Sequence, residues 1–457
     1  MDQKENRKTG SKTASGSSML LGDFREKYIQ KIIETIEHDE FKRKFSRKNA
    51  FVRKRKLPFN FLIVFLMSVL SRSIQRELNS FYQKVKGGDF LIQEVTKSAL
   101  SHARKELSWE TFQQLNRIGC ESFYNEAPYK TWNGYRLLAI DGSGIVLPNH
   151  PTIASEFDII GVGPKADVPK SMATISILYD VLNLTTLDAQ IASFNISERE
   201  LAEKHFPTMK PGKDFVLMDR GYAGFPLAFE LQKQGIDYCI RSREDWWDEV
   251  NEMLEKGDTD KVVIIKKNQQ FELFPKMRLF YDELVCRIVI VDIPNDTNDT
   301  KEVLITSMLD QDKVPYDTFV SLYAMRWNIE EAYKQYKTRL QLEVFTGKTA
   351  LAIKQDFYAK VFIATTTAVL AFPIDERLKK EQEQEKRTKH FYKINRTNAL
   401  SFTKESAPQI FIRKIITGAL QAFDNFMRKT VEIVRPGRKN ERKKSHKKPP
   451  SMNYKQL

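Results

Sequence analysis

The chain has 457 residues, enough for roughly two to four domains and a sizeable buried core. Its formal net charge of +15 at pH 7, with a sequence pI of about 9.4, points to a polyanionic partner and leaves nucleic acid and anionic membrane surface both open. The most apolar run, residues 59–70, is too short to span a bilayer, lies far from the N-terminus and lacks the layout of a cleavable signal. A soluble intracellular protein with no membrane partner is therefore expected. Cys120, Cys239 and Cys286 match no zinc spacing and read as small buried apolar residues in a reducing compartment.

Residues 1–20 are rich in Lys, Ser, Thr and Gly with little to bury, and are expected to form a disordered basic tail. From 21 to 130 the pattern is helical, with apolar residues at three- and four-residue spacing in 24–36 and 61–78 and a strongly basic stretch at 42–56. Residues 95–107 read as a helix capped by Thr96 or Ser98, whose exposed face offers Lys97, Ser101, His102, Arg104 and Lys105. Such a face lies against phosphates or enters a major groove; it also reads as plain solvated surface. The first reading makes 21–130 a helical N-terminal DNA-binding domain.

The character changes near residue 133. Residues 135–141 read as a buried strand ending on Asp141, with Gly142-Ser143-Gly144 as a turn. Residues 171–180 and 184–194 look like an antiparallel meander, and Ser197 with Glu200 forms a capping-box helix start. A second strand, 215–219, ends on Asp219, followed by the turn Arg220-Gly221-Tyr222, a helix at 225–234 and a strand at 236–240. This alternation predicts a mixed α/β sheet, with its site at the carboxyl ends of strands. From 241 to 300 the alternation breaks down: short strands at 262–265, 270–274 and 283–292 predict a β-rich insertion. Residues 302–308 then return to the core sheet, 316–342 form a helix, and 355–372 form an apolar helix behind the site. The remainder, 373–457, is read as a helical region and a basic tail that binds phosphates non-specifically.

On a helix turning about 100° per residue, Tyr323, Arg326, Glu330 and Lys337 share one stripe and Glu331 points away. A carboxylate flanked by cations suits a metal ion beside a phosphate chain; the same residues also read as a solvated face with an i,i+4 pair. Rival chemistries fail on spacing. Leu342 stands where a phosphate loop ending in Gly347-Lys348-Thr349 needs its first glycine, the six histidines form no metal-binding pair, and no serine-hydrolase elbow is present. What remains is Asp141, Asp219 and Glu330. Three converging carboxylates repel and raise one another's pKa unless a cation neutralises them. Two divalent ions about 4 Å apart supply that charge and suit in-line displacement at phosphorus, and oxygen-only ligands favour Mg2+ or Mn2+ over zinc.

Asp141 in Leu-Ala-Ile-Asp-Gly-Ser, Asp219 in Asp-Arg-Gly-Tyr and the series Tyr323, Arg326, Glu330, Lys337 resemble the DDE transposases of bacterial insertion sequences. The series matches the Y-(2)-R-(3)-E-(6)-K signature of the Insertion-Sequence-4 branch, and the resemblance runs from about residue 130 to 400, taking in 355–358 and 395–398. It implies a ribonuclease-H-like catalytic domain over 131–372 with the β-rich insertion inside it. It also implies Mg2+, with Mn2+ able to substitute, held by Asp141, Asp219 and Glu330. Tyr323, Arg326, Lys337 and Arg220 would hold double-stranded DNA near the cleaved end; the reading of 95–107 as a DNA-facing helix, independent of the resemblance, adds Lys97 and Arg104. Trp246 or Trp247 would stack on a flipped base, or pack the core of the insertion. A homodimer pairing two DNA ends in the prokaryotic cytoplasm, at the nucleoid, follows from the implied task of cut-and-paste transposition. The rival functions are a non-catalytic DNA-binding protein derived from a transposase and a nuclease that cuts without joining.

Overall fold

The structure, a computed structural model, describes residues 16–53, 55–69, 73–160, 169–244, 247–266, 283–292, 301–384 and 391–434. Its first elements are helices α1 (Gly16–Glu37), α2 (Asp39–Phe45), α3 (Phe59–Ser68), α4 (Ile74–Lys86), α5 (Lys97–Lys105) and α6 (Glu110–Glu126). The single helix expected over 61–78 is therefore two. Residues 62–67 of α3 are all buried, whereas α4 buries Glu77, Leu78, Phe81 and Tyr82 on one side, and one straight rod could not serve both environments.

The sheet region follows: β1 (Arg136–Val146), α7 (Pro151–Ala154), β2 (Ile159–Ile160), β3 (Lys170–Asp180), β4 (Thr185–Ser193), α8 (Glu198–Glu203), β5 (Asp214–Met218), α9 (Phe225–Lys233), β6 (Asp237–Ser242), α10 (Asp248–Lys256), β7 (Asp260–Lys266), β8 (Glu283–Asp292) and β9 (Lys301–Thr306). The chain continues with α11 (Thr318–Ala324), α12 (Trp327–Lys334), α13 (Ala350–Gln384), β10 (Phe391–Lys393), α14 (Arg396–Ala407), α15 (Ile416–Lys429) and β11 (Glu432–Val434). The strands lie in the order β4-β3-β1-β5-β6-β9-β8-β7, with β2 beside the start of β3. β1, β5 and β6 are mutually parallel and the other neighbours antiparallel. The result is a mixed α/β architecture with a helical N-terminal region.

Two expectations change here. Gly142-Ser143-Gly144 is no turn: β1 runs straight through it, pairing with β3 as far as Val146↔Met172, because the antiparallel ladder outweighs local glycine preference. The strands expected in the β-rich insertion extend the main sheet, since β9 pairs with β6 as expected of the core sheet, β8 with β9 and β7 with β8. The strand read at 270–274 lies outside the described residues.

Period-two alternation gives β1 two buried faces. Leu137 and Ala139 join Phe215 and Leu217 in a core shared with the N-terminal helices and α13, while Leu138 and Ile140 join Val216 and Met218 beneath α9. Phe24 of α1 packs edge-on against Phe123 and Phe372 at 6.1 and 6.2 Å, so helices from both ends of the chain meet over the sheet. α13 is long and apolar enough to cross a bilayer, but 89% of that apolar window is buried inside the protein.

Arg104 is the clearest reversal. Thr96 Oγ accepts the Ala99 amide at 3.2 Å and starts α5 as expected, but Leu100 and Arg104, four residues apart, share its inward face. The Arg104 guanidinium is buried against α13, donating to Gln355 Oε1 at 2.8 Å, Ala352 O at 3.0 Å and Asp356 Oδ1 at 2.8 Å. It cannot also lie on an exposed DNA-contacting face. Arg104→Ala should lower the unfolding free energy by about 3 kcal/mol in urea denaturation, because it strands a buried Asp356 charge. Unchanged stability with weakened DNA binding would restore the exposed reading.

Candidate active site

The register of β1 against β5 sets the site. Their pairing starts at Arg136↔Asp214 and is seen through Ala139↔Leu217. The first rung is bonded side chain to side chain: Arg136 Nε and Nη2 donate to the two Asp214 carboxylate oxygens at 2.6 and 2.5 Å, both residues being buried. Continuing that register two residues past Ala139 and Leu217 brings Asp141 and Asp219 alongside each other, on strands roughly 4.8 Å apart and on the same face. Asp141 is thus inside β1 and not at its end. The functional equivalent of an end arises because no described strand pairs with that side of β1 beyond Ala139.

The two acids are electrostatically coupled. Burial first, then the charge of Asp219, push the Asp141 carboxyl up to about 7, against the pull of Arg326 and the Gly142 amide, which donates to Asp141 Oδ1 at 3.0 Å. Asp219 Oδ1 accepts the Gly221 amide at 2.8 Å.

The helix expected over 316–342 is not continuous. The Met325 and Arg326 amides bond back to Leu322 O and Tyr323 O at 3.2 and 3.0 Å, a tight turn separating α11 from α12. A π turn over Gln335–Arg339 follows α12. The uniform stripe is therefore an oversimplification, yet Tyr323 and Lys337 both contact the β1–β5 edge. Buried Tyr323 donates its hydroxyl to Met218 O at 3.3 Å, next to Asp219. Lys337 Nζ donates to Ser143 Oγ at 2.6 Å and Gly144 O at 3.2 Å, just past Asp141. Arg326 Nη2 donates to Glu330 Oε1 at 2.8 Å, but this i,i+4 pair is no solvated face, its side chains being 9% and 29% exposed. Arg326 Nε is buried with no hydrogen-bond partner. Glu331 is exposed and pairs with Lys334.

Among the described residues, no three His, Cys, Asp or Glu side chains are gathered closely enough to hold an ion as they stand. The chemistry fits one nonetheless. The donors are oxygen-only, and the Asp141–Asp219 repulsion creates a demand for positive charge that Arg326 meets in part.

The sequence profile of the transposase DDE domain family matches residues 132–366, more than half of the chain. The chain belongs to this family. The transposase InsG for insertion sequence element IS4 of Escherichia coli (strain K12) is 25% identical over 338 residues, covering 72% of this chain and 73% of that one. The putative transposase InsZ of the same organism is 24% identical over 219 residues, covering 46% of this chain and 69% of that one. A cryo-EM structure of a piggyBac transposase synaptic complex with hairpin DNA aligns at a TM-score of 0.42 and 12% identity, over 90% of this chain and 84% of that one. The protein is a DNA transposase, an enzyme acting on DNA, and the family generally uses divalent metal ions.

Several side chains brace the transposase site without facing its opening. Tyr333 donates its hydroxyl to Asp141 O at 2.7 Å and Ser176 Oγ donates to the same carbonyl at 3.3 Å. Ser176 is bonded in turn to His205 Nε2 at 2.9 Å, and His205 Nδ1 to Asp188 Oδ2 at 2.7 Å. That order resembles a hydrolytic triad, but Ser176 and His205 are fully buried, so it serves as scaffold for the Asp141 backbone. Sequence reasoning missed Tyr333; its position three residues after Glu330 was the available signal. It also missed Trp327, which is 52% exposed beside Arg326. Trp247 is partly buried against the core that includes α9 and donates its indole N–H to Ser242 Oγ at 2.9 Å; Trp246 lies outside the described residues. Arg220 is exposed on the turn after Asp219. Exposed Lys97 lines a cleft of about 460 Å³ with Ser101, Lys105 and Lys348.

The coupling at Asp141 has a sign that can be measured. An unfolded Asp titrates near 3.9, and the folded Asp141 near 7. Between those values the native state holds the extra proton, so metal-free stability falls as pH rises from about 4 to 7 and levels off above. Asp141→Asn should remove that part of the fall and stabilise the protein at pH 8 by about 2–4 kcal/mol in urea denaturation with EDTA. The same pH dependence in both proteins would refute the coupling.

Proposed function

We propose that the protein is a cut-and-paste transposase of the Insertion-Sequence-4 YREK branch, hydrolysing phosphodiesters at element ends and joining the 3′-hydroxyls to target DNA. The reading is carried by the β1–β5 register, which continued two residues brings Asp141 alongside Asp219, and by the charge of Arg326, the partner of Glu330, acting on Asp141. A ribonuclease-H-like core is supported by three antiparallel neighbours, β4-β3-β1, followed by parallel β5 and β6.

In this reading Asp141, Asp219 and Glu330 hold divalent ions, Mg2+ with Mn2+ as substitute. When bound, these ions supply positive charge that activates the attacking water or 3′-hydroxyl and stabilises the leaving oxygen. The protein's own residues do the rest. Arg326, with its free Nε donor, holds a phosphate oxygen near the acids. Lys337 places its ammonium beside β1 at Ser143, within the path of the same strand. Tyr323 fixes α11 on Met218 O and so orients the turn that carries Arg326. Arg220 and Lys97 contact the DNA backbone, which positions the duplex without reading its sequence. The helical region at 21–130 recognises the ends, 131–372 catalyses, and the C-terminal region with its basic tail adds non-specific affinity. Pairing two ends calls for a homodimer on DNA, in the prokaryotic cytoplasm at the nucleoid.

Asp141→Ala, Asp219→Ala and Glu330→Gln should each reduce Mg2+-dependent cleavage of element-end DNA by at least about 10³-fold while leaving DNA binding in gel-shift assays intact. Glu331→Gln, on the exposed side, should cleave normally. Loss with Glu331→Gln and retention with Glu330→Gln would reverse the assignment of that helix face. Binding without any metal-dependent nicking by the wild-type protein would favour a non-catalytic DNA-binding role.

A further inference from the structure

α8 begins with a complete capping box: Ser197 Oγ accepts the Glu200 amide and the Glu200 carboxylate accepts the Ser197 amide, each at 3.2 Å. The helix start is therefore capped without using Glu198. The next residue, Arg199, donates to Gly221 O and Ala223 O at 2.8 Å each, clamping α8 onto the turn that follows Asp219. Glu198 consequently lies over Gly142, where an added Cβ would sit 2.7 Å from Glu198 Oε1. Only a glycine leaves the carboxylate that place.

Neighbouring residues of a strand face opposite ways, so Glu198 approaches β1 from the face of Leu138 and Ile140, and Asp141 projects from the other. The charge of Asp219 nonetheless acts on both acids, and that of Glu198 acts on Asp141. A second observation points to a ligand. Tyr222 is 1% exposed, its hydroxyl has no hydrogen-bond partner, and the charged groups that act on it are Glu198, Asp141, Asp219 and Arg326. A buried hydroxyl left without a partner is costly, and it is expected where a bound species completes the bonding.

We propose that Glu198 is a fourth carboxylate of the divalent-cation site, reaching it across Gly142 from the opposite face of the sheet, with the Tyr222 hydroxyl donating to a carboxylate oxygen of the loaded site. The proposal rests on the reading of Asp141, Asp219 and Glu330 as that site. A purely structural role, as a first-turn acid favourable to the helix dipole, makes no demand on metal affinity.

The test is a Mn2+ titration of the full-length, metal-free protein, with free Mn2+ read by electron paramagnetic resonance. Glu198→Gln should weaken Mn2+ binding at least about tenfold while melting in EDTA like the wild type, and Glu200→Gln should bind Mn2+ normally. Gly142→Ala keeps every carboxylate but displaces that of Glu198, and should show the same loss, which keeps the test open should Glu198→Gln fold poorly. Wild-type affinity in Glu198→Gln, with binding lost in Asp141→Asn, would overturn the role of Glu198 alone. Wild-type affinity in Asp141→Asn as well, or no Mn2+ uptake by the wild type, would overturn both this role and the underlying site.

Discussion

The bidentate pair between Arg136 and Asp214 is the interaction on which the site depends. It closes the first rung of the β1–β5 ladder, and Asp141 and Asp219 lie the same five residues further along their respective chains. A slip of one residue would turn one acid to the opposite face of the sheet. A buried ion pair adds little net stability compared with well-packed apolar residues, but it penalises misalignment heavily, because a slipped strand leaves both charges unpaired. Its position suggests that alignment, more than stability, is what it secures. The cost of that alignment is two carboxylates held together by backbone hydrogen bonds that cannot relax to separate them.

The surrounding elements answer that repulsion. α11 and α12 each hang from the sheet by one phenol, Tyr323 on Met218 O and Tyr333 on Asp141 O. The turn at Met325–Arg326 lets each helix dock on its own strand, and it puts Arg326 at the junction. More distant strands contribute as well. Arg287 of β8 grips Asp260 of β7 and donates to Val314 O at 2.7 Å, while its guanidinium packs over Phe319 of α11 at 5.0 Å. The strands between Asp219 and Glu330 in sequence thereby brace α11, the helix that leads into the Arg326 turn.

Much of this was legible in the sequence. The apolar runs ending near Asp141 and Asp219 located two adjacent strands, and the capping box at Ser197 located α8. The single helix read through Tyr323, Arg326, Glu330 and Lys337 proved broken, and Tyr323 and Lys337 reach the sheet through separate contacts. The failures share a cause: local signals were outvoted by partners distant in sequence. Gly142 and Gly144 favour a turn until β3 supplies a ladder. Arg104 looks exposed until Gln355 and Asp356, about 250 residues on, supply its acceptors. The sheet that the strands after α10 join is not legible until β9, expected in the core sheet, is seen to pair with both β6 and β8. An acid at the first position of a helix reads as dipole compensation, so nothing in the sequence singled out Glu198; only the glycine opposite it does.

The continuity of the hydrophobic core carries a consequence for how the molecule comes apart. Phe24, Phe123, Phe372 and Phe423 belong to the same cluster as Phe215 and Leu217 of the sheet, so the N-terminal helices, the catalytic sheet and the C-terminal helices share one interior. Such an interior melts cooperatively, since removing any one layer exposes the apolar faces of the others. Fragments cut near residue 130 or 373 would carry large unsatisfied apolar surfaces, so a truncation series aimed at locating DNA contacts would report the loss of folding before the loss of any contact. Point substitutions on exposed side chains are the informative way to dissect this protein.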